Sequence, residues 1–183
     1  MNHLEEFVTL HKWELDHLFL HVAEKPRWDG LMGFEFRGWN CARWVQPKKF
    51  VKGFFFGTRQ GEQGVPLGYN IPVARDTLFG GYRPDRAWQL LPDEGHPKHE
   101  RFFTVGEIDP AARDKKYPEA LLLDYRPAER WTPLRDYLKQ LTDDLFIGKA
   151  YLAGGPLRLP VSYFILERFR EASYEGKGIP GKS

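Results

Sequence analysis

The stretch that most constrains this chain runs from residue 118 to residue 170. Within it, segments of alternating apolar and polar side chains follow one another across links too short to hold a helix. Parallel neighbours need a crossover of a dozen residues or more, so adjacent strands here must run antiparallel. Residues 120–125 are almost wholly apolar, as in a strand covered on both faces. Residues 134–141 set Leu134, Asp136 and Leu138 against Arg135, Tyr137 and Leu141. Thr132 and Pro133 could equally start a helix there. The short link Asp143-Asp144 to the next apolar segment, 145–152, favours a strand. Gly154-Gly155-Pro156 then turns the chain into a last strand at 159–169.

Upstream, residues 2–24 read as one long helix. Asn2 and Glu5 make a start resembling a capping box, and Pro26 lies just past the end. Leu4, Phe7, Val8, His11, Leu15, Leu18, Phe19 and Val22 recur at helical spacing and predict the buried stripe. Leu10, Trp13 and Leu20 fall on the back, where they are either scattered surface apolars or a face for a second copy of the chain. From Leu31 the period becomes two. Residues 31–37, 52–58, 67–74 and 101–108 read as strands, with a hairpin loop at 57–64 and a short strand near Trp88, Leu90 and Leu91. Gly38-Trp39-Asn40 reads as a turn. Residues 42–52 stay undecided because Pro47 interrupts them, and the tail from Ser173 is expected to fray. One helix followed by about eight or more strands predicts a mainly β, antiparallel up-and-down barrel.

The 183 residues fit a single domain spanning 1–183. An apolar fraction of 42% and an aromatic fraction of 15% exclude disorder, and the aromatic excess suits either barrel filler or a ligand cavity. A formal charge of only +2 argues against nucleic acid as the main partner. The lone Cys41 cannot form an internal disulfide, which suits a reducing, cytoplasmic setting. Charged residues and histidines punctuate the N-terminal apolar segment, so no membrane span or signal peptide is expected.

A resemblance is carried by Phe36-Arg37-Gly38-Trp39-Asn40, Gly68-Tyr69-Asn70 and Tyr117-Pro118 with Leu121-Leu122-Leu123-Asp124-Tyr125. Leu134-Arg135-Asp136-Tyr137-Leu138, Gly148-Lys149-Ala150-Tyr151 and Tyr163-Phe164-Ile165-Leu166-Glu167-Arg168 continue it. On these pieces the chain resembles an uncharacterised bacterial protein family of this size and lipocalin-like (calycin) barrels. The resemblance implies a small-molecule pocket within a lipocalin-like β-barrel, and carries over no catalytic residue.

Candidate residues come from polar side chains inside apolar strands, because a charge there faces solvent or a polar pocket. Arg37, Trp39, Tyr69, Asn70, Asp124 and Tyr125 are the ligand-binding candidates. Asp136, Lys149, Tyr151 and Glu167 share the pattern, with Lys149 and Glu167 read as a cross-strand pair over the final hairpin. Three functions follow: a protein-interaction module using the back face of the first helix, binding of a small apolar or aromatic molecule, or acid–base isomerase, cyclase or lyase chemistry in the cavity that would hold that molecule. In the third, Asp124, Tyr69 and Arg37 would be base, acid and anion anchor. Lys48, Lys49 and Lys52, with Arg43 and Trp44, form a basic aromatic cluster suited to an anionic ligand, a lipid surface or RNA, or simply a solvated loop. No cofactor is expected. His17 and His21 lie one turn apart, but without further ligands they do not make a metal site. His96 and His99 read as loop residues, and the paired glycines, Gly80-Gly81 among them, lack a dinucleotide fingerprint.

Overall fold

The computed structural model describes residues 3–76, 83, 85–109, 117–126, 134–152 and 159–179. Gly80-Gly81, Thr132-Pro133 and Gly154-Gly155-Pro156 lie outside these residues. Eight strands close into a barrel: β1 (Phe34–Asn40), β2 (Lys49–Arg59), β3 (Glu62–Pro72), β4 (Glu100–Glu107), β5 (Leu121–Asp124), β6 (Leu134–Gln140), β7 (Leu145–Leu152) and β8 (Leu159–Glu171). Every strand is antiparallel to its neighbours in sequence, and β8 pairs back onto β1. The β2–β3 hairpin turns through Gln60 and Gly61, both at positive φ (52° and 88°), the conformation whose twist matches the flanking strands. Gly38-Trp39-Asn40, read from sequence as a turn, belongs to β1. Leu90 makes one bridge, to Val73, where a short strand was expected.

Alternation sorts each strand into an inner and an outer set. Phe36, Phe50, Phe54, Phe103, Leu121, Leu123, Leu138, Phe146, Phe164 and Leu166 belong to one buried cluster inside the barrel. Phe36 meets Phe54 and Phe146 edge-on at 5.6 and 5.1 Å, and Phe54 meets Phe103 at 5.7 Å. Three of these rings lie over an inward-facing glycine directly opposite in register: Phe50 over Gly38, Phe103 over Gly68 and Phe164 over Gly148. Much of the aromatic excess is therefore filler, and the middle of the barrel is packed rather than hollow. At one end a short helix, Trp28–Leu31, lays Leu31 and Met32 onto this cluster, and Arg168 Nη2 donates to the Gly30 carbonyl at 2.8 Å.

The expected long helix is broken. Helix α1 (His3–Val8) ends before Thr9, and α2 (Lys12–His17) restarts and runs into a π turn, Leu18–Val22. The restart is local chemistry: Glu14 Oε2 accepts from the His11 N–H at 2.7 Å, the backward half of a capping box. Leu4, Leu15, Phe19 and Ala23 are buried against outer-face residues that include Tyr137, Ile147, Tyr151, Tyr163 and Ile165. Val22 and the back-face Trp13 and Leu20 are exposed. No described helix is long and apolar enough to cross a membrane.

The segment after Ser173, expected to fray, is docked through residue 178. The Ser173 N–H and Oγ both donate to Glu35 Oε1, at 3.0 and 2.5 Å. Tyr174 packs edge-on against Phe55 and Phe102 and tilted against Tyr69, and Gly178 bridges to Thr58. Glu35 is fully buried; burial pushes its carboxyl up, but Ser173, Tyr69 and Arg170 outweigh that and hold it below the ordinary 4.5. A carboxylate with a depressed folded pKa contributes stability above its unfolded value, and loses it as pH falls through the folded one. Acid unfolding should therefore steepen below about pH 4.5. Glu35→Gln should flatten that limb in pH-dependent urea melts while lowering stability at neutral pH.

Candidate functional site

The barrel end opposite the short helix opens into a recess of about 270 Å³. It is built from the last residues of β1, β3, β5 and β7 and the first of β2, β4, β6 and β8, which antiparallel order brings to one rim. Phe50, Ile71, Pro72, Leu134, Ala150 and Phe164 supply apolar walls, and Asn40, Lys52, Asn70, Glu100, Arg101, Tyr125, Asp136 and Ser162 supply polar groups.

A charged cluster lies at the inner end of this recess. Lys52 follows Phe50 and precedes Phe54 in the inward phase of β2, so its ammonium enters the barrel. Nζ donates to Asn70 Oδ1 at 3.0 Å and to the Tyr125 hydroxyl, and lies 3.3 Å from Asp136 Oδ2. The Tyr125 hydroxyl donates to the same Oδ2 at 3.0 Å. Phe103 and Tyr125 rings face the ammonium at 4.8 and 5.1 Å. Burial lowers the pKa of Lys52, with the Asp136 charge opposing, and burial together with that charge raises Tyr125 well above 10.0. Asp136 is 3% exposed, yet its Oδ1 has no hydrogen-bond partner among the described residues. A buried carboxylate oxygen left unpaired costs roughly 1–3 kcal/mol or more. At the rim, Arg101 holds a φ of 49°, a left-handed conformation that is uncommon outside glycine.

Of the residues singled out from sequence, Asn70 and Tyr125 meet here. The other four face outward. Arg37 pairs with Glu167 at 2.7 Å and Asp124 with Arg126, while Tyr69 is buried outside the barrel, donating to Glu35 at 2.7 Å. Trp39 lines a separate outer groove. Arg37, Tyr69 and Asp124 thus do not assemble as anchor, acid and base. Nor do Lys149 and Glu167 pair: the register sets Lys149 opposite Tyr163, and Lys149 instead bonds Asp16 at 2.9 Å. The basic aromatic cluster is split three ways. Lys52 enters the barrel, Lys49 is buried against Asp76 at 2.9 Å, and Lys48, Arg43 and Trp44 line the outer groove. His17 and His21 are exposed, their rings 5.3 Å apart.

The buried charge pair at the centre of this cluster, Lys52 with Asp136, is not paired by the sequence pattern, which places Asp136 among the strand polars and Lys52 in the basic aromatic cluster. Its signal was available: each is a charge standing in the same alternation phase as large apolar residues, Phe50 and Phe54 for one and Leu134 and Leu138 for the other.

No protein-family model and no curated protein matches this chain, so the lipocalin-like resemblance has no counterpart at family level. A crystal structure of a protein from Thermomonospora curvata is similar, with 19% identity over 88% of this chain and 89% of that one and a TM-score of 0.43.

Proposed function

We propose that the protein binds a small molecule at the open end of its barrel, in the manner of a lipocalin-like carrier with a shallow pocket. The observation that carries this is Asp136 Oδ1, a buried acceptor with no partner among the described residues, at the inner end of the recess. At about 30 Å³ for each water's share of liquid volume, the recess of about 270 Å³ holds a compact molecule, not a long chain. The fitting ligand is a small aromatic or apolar compound whose head both donates, to Asp136, and accepts, from Lys52 or Arg101. Amides and hydroxylated rings have that character. Strain at Arg101 supports the same location, since unusual backbone geometry concentrates at ligand sites.

Native mass spectrometry of the purified protein and thermal-shift screening of aromatic amides and phenols test this. Hits should weaken at least tenfold in Arg101→Ala or Asp136→Asn, and chemical-shift changes should map to the barrel end. Hits that ignore both substitutions, or that map elsewhere, would reject it.

Acid–base catalysis is a second reading, favoured by one feature: the Lys52 ammonium, its pKa lowered by burial, bonded to the Tyr125 hydroxyl. Lys52, Tyr125 and Asp136 would then be the working groups, in place of Arg37, Tyr69 and Asp124. Turnover of a bound compound abolished in Tyr125→Phe, with binding kept, would separate catalyst from carrier.

A further inference from the structure

A second open space lies outside the barrel. Between the α1–α2 junction and residues 41–48 runs a groove of about 730 Å³, within the roughly 300–1,000 Å³ of typical ligand pockets. Its floor and walls are mostly apolar: Val8, Leu10, Leu15, Trp39 and Tyr163, with Trp44 at its edge, 77% exposed. The wall formed by residues 41–48 is pinned in place. The Cys41 N–H donates to the Tyr163 carbonyl at 2.9 Å, the Ala42 N–H to Ser162 Oγ at 3.1 Å, and Asn40 Nδ2 to the Pro47 carbonyl at 2.6 Å. A groove with walls already fixed requires little ordering on binding.

The charges around it have one sign. Lys12, Arg43, Lys48 and Lys149 line the groove, and among the described residues no carboxylate does. Asp16, beside the groove, is shared by Lys12 and Lys149, each at 2.9 Å, and also accepts from the Tyr163 hydroxyl. Lys48 is held by the backbone carbonyls of Asn40 and Ala42 rather than by a carboxylate. The groove is therefore an apolar trough with a cationic border, complementary to a molecule that has an apolar body and an anionic head.

We propose that this groove is a second, independent binding site, for a single carboxylate amphiphile such as a medium-chain fatty acid. The alkyl body lies on Leu15, Val8 and Trp39, Trp44 covers it, and the carboxylate meets Lys48 and Arg43. Nothing in this assignment depends on the recess at the barrel end.

Isothermal titration with dodecanoate, below its micellar concentration, tests the proposal on the intact chain. Dodecyltrimethylammonium serves as the control of equal length and opposite charge. Dodecanoate should bind one to one and at least tenfold more tightly than the cation, with an affinity that falls as salt rises. Trp44→Ala and Arg43→Gln alter exposed side chains, so they carry the test even if Lys48→Gln loosens its loop. Each should weaken dodecanoate about three- to tenfold. Equal affinity for both surfactants, or indifference to Trp44→Ala and Arg43→Gln, would overturn the assignment. So would binding only to anionic vesicles and never to the monomeric acid.

Discussion

Asp136→Ala should lower the unfolding free energy by about 3–5 kcal/mol, because it strands the Lys52 ammonium inside the barrel without its counter-charge. Lys52 and Asp136 are 2% and 3% exposed, so the ammonium left behind is poorly solvated. The same reasoning gives an opposite expectation for the pair. Taking two charges out of water is costly, and a buried ion pair is often no better than apolar residues of similar volume. Lys52→Met with Asp136→Leu should thus recover most or all of the loss, and can exceed the parent in stability. Urea denaturation of the parent, the single variant and the double variant measures both quantities. A double variant as unstable as Asp136→Ala would show that the cluster is needed for the fold itself. A stable double variant that binds nothing at the barrel end would show that the charges are kept for a ligand.

Gly148→Ala should be nearly as damaging, by a different mechanism. A Cβ built on Gly148 lies 1.9 Å from Phe164 Cζ and within 2.5 Å of two further ring atoms, far inside contact distance. The ring cannot simply withdraw, because Phe164 is 3% exposed and packed edge-on against Phe50 at 5.9 Å. Overpacking of a full core costs about 1–3 kcal/mol, occasionally more. Phe164→Leu on its own should also destabilise, by leaving a void. Combined, the two changes should cost less than their sum, since the smaller side chain makes room for the new methyl group. Thermal melts of the four proteins give that coupling directly, and strict additivity would mean that the ring and the glycine do not constrain one another.

Much of the barrel was legible from residue order. Period-two alternation in 101–108, 134–141 and 145–152 marks β4, β6 and β7, and short links make antiparallel pairing the only economical topology. The inner face was harder to assign for a physical reason. Helices, the docked tail and the segment around Trp88 cover much of the outer surface, so β2 is buried at nearly every position from Lys49 to Phe55. With both phases apolar, alternation no longer tells inside from outside. Arg37, Tyr69 and Asp124 therefore read as ligand-facing although they lie in the outer phase, while Asp136 and Lys52 appear only among the wider set of strand polars and basic residues. The break at Thr9–His11 was also hard to see, since no glycine or proline announces it. Only Glu14, three residues after His11, marks the restart. The docking of Ser173 and Tyr174 depends on Glu35 and Tyr69, more than a hundred residues earlier, which no local pattern reports.

The seam between β8 and β1 has a consequence for biosynthesis. Phe34 pairs with Glu171, so the ring of strands stays open until β8 has left the ribosome. During that interval both seam edges expose unsatisfied amides and aromatic side chains, a template for pairing with other nascent chains. Contacts so distant in sequence also make closure slow. Translation that stalls ahead of β8 would release a product with two sticky edges, one that molecular chaperones would have to shield.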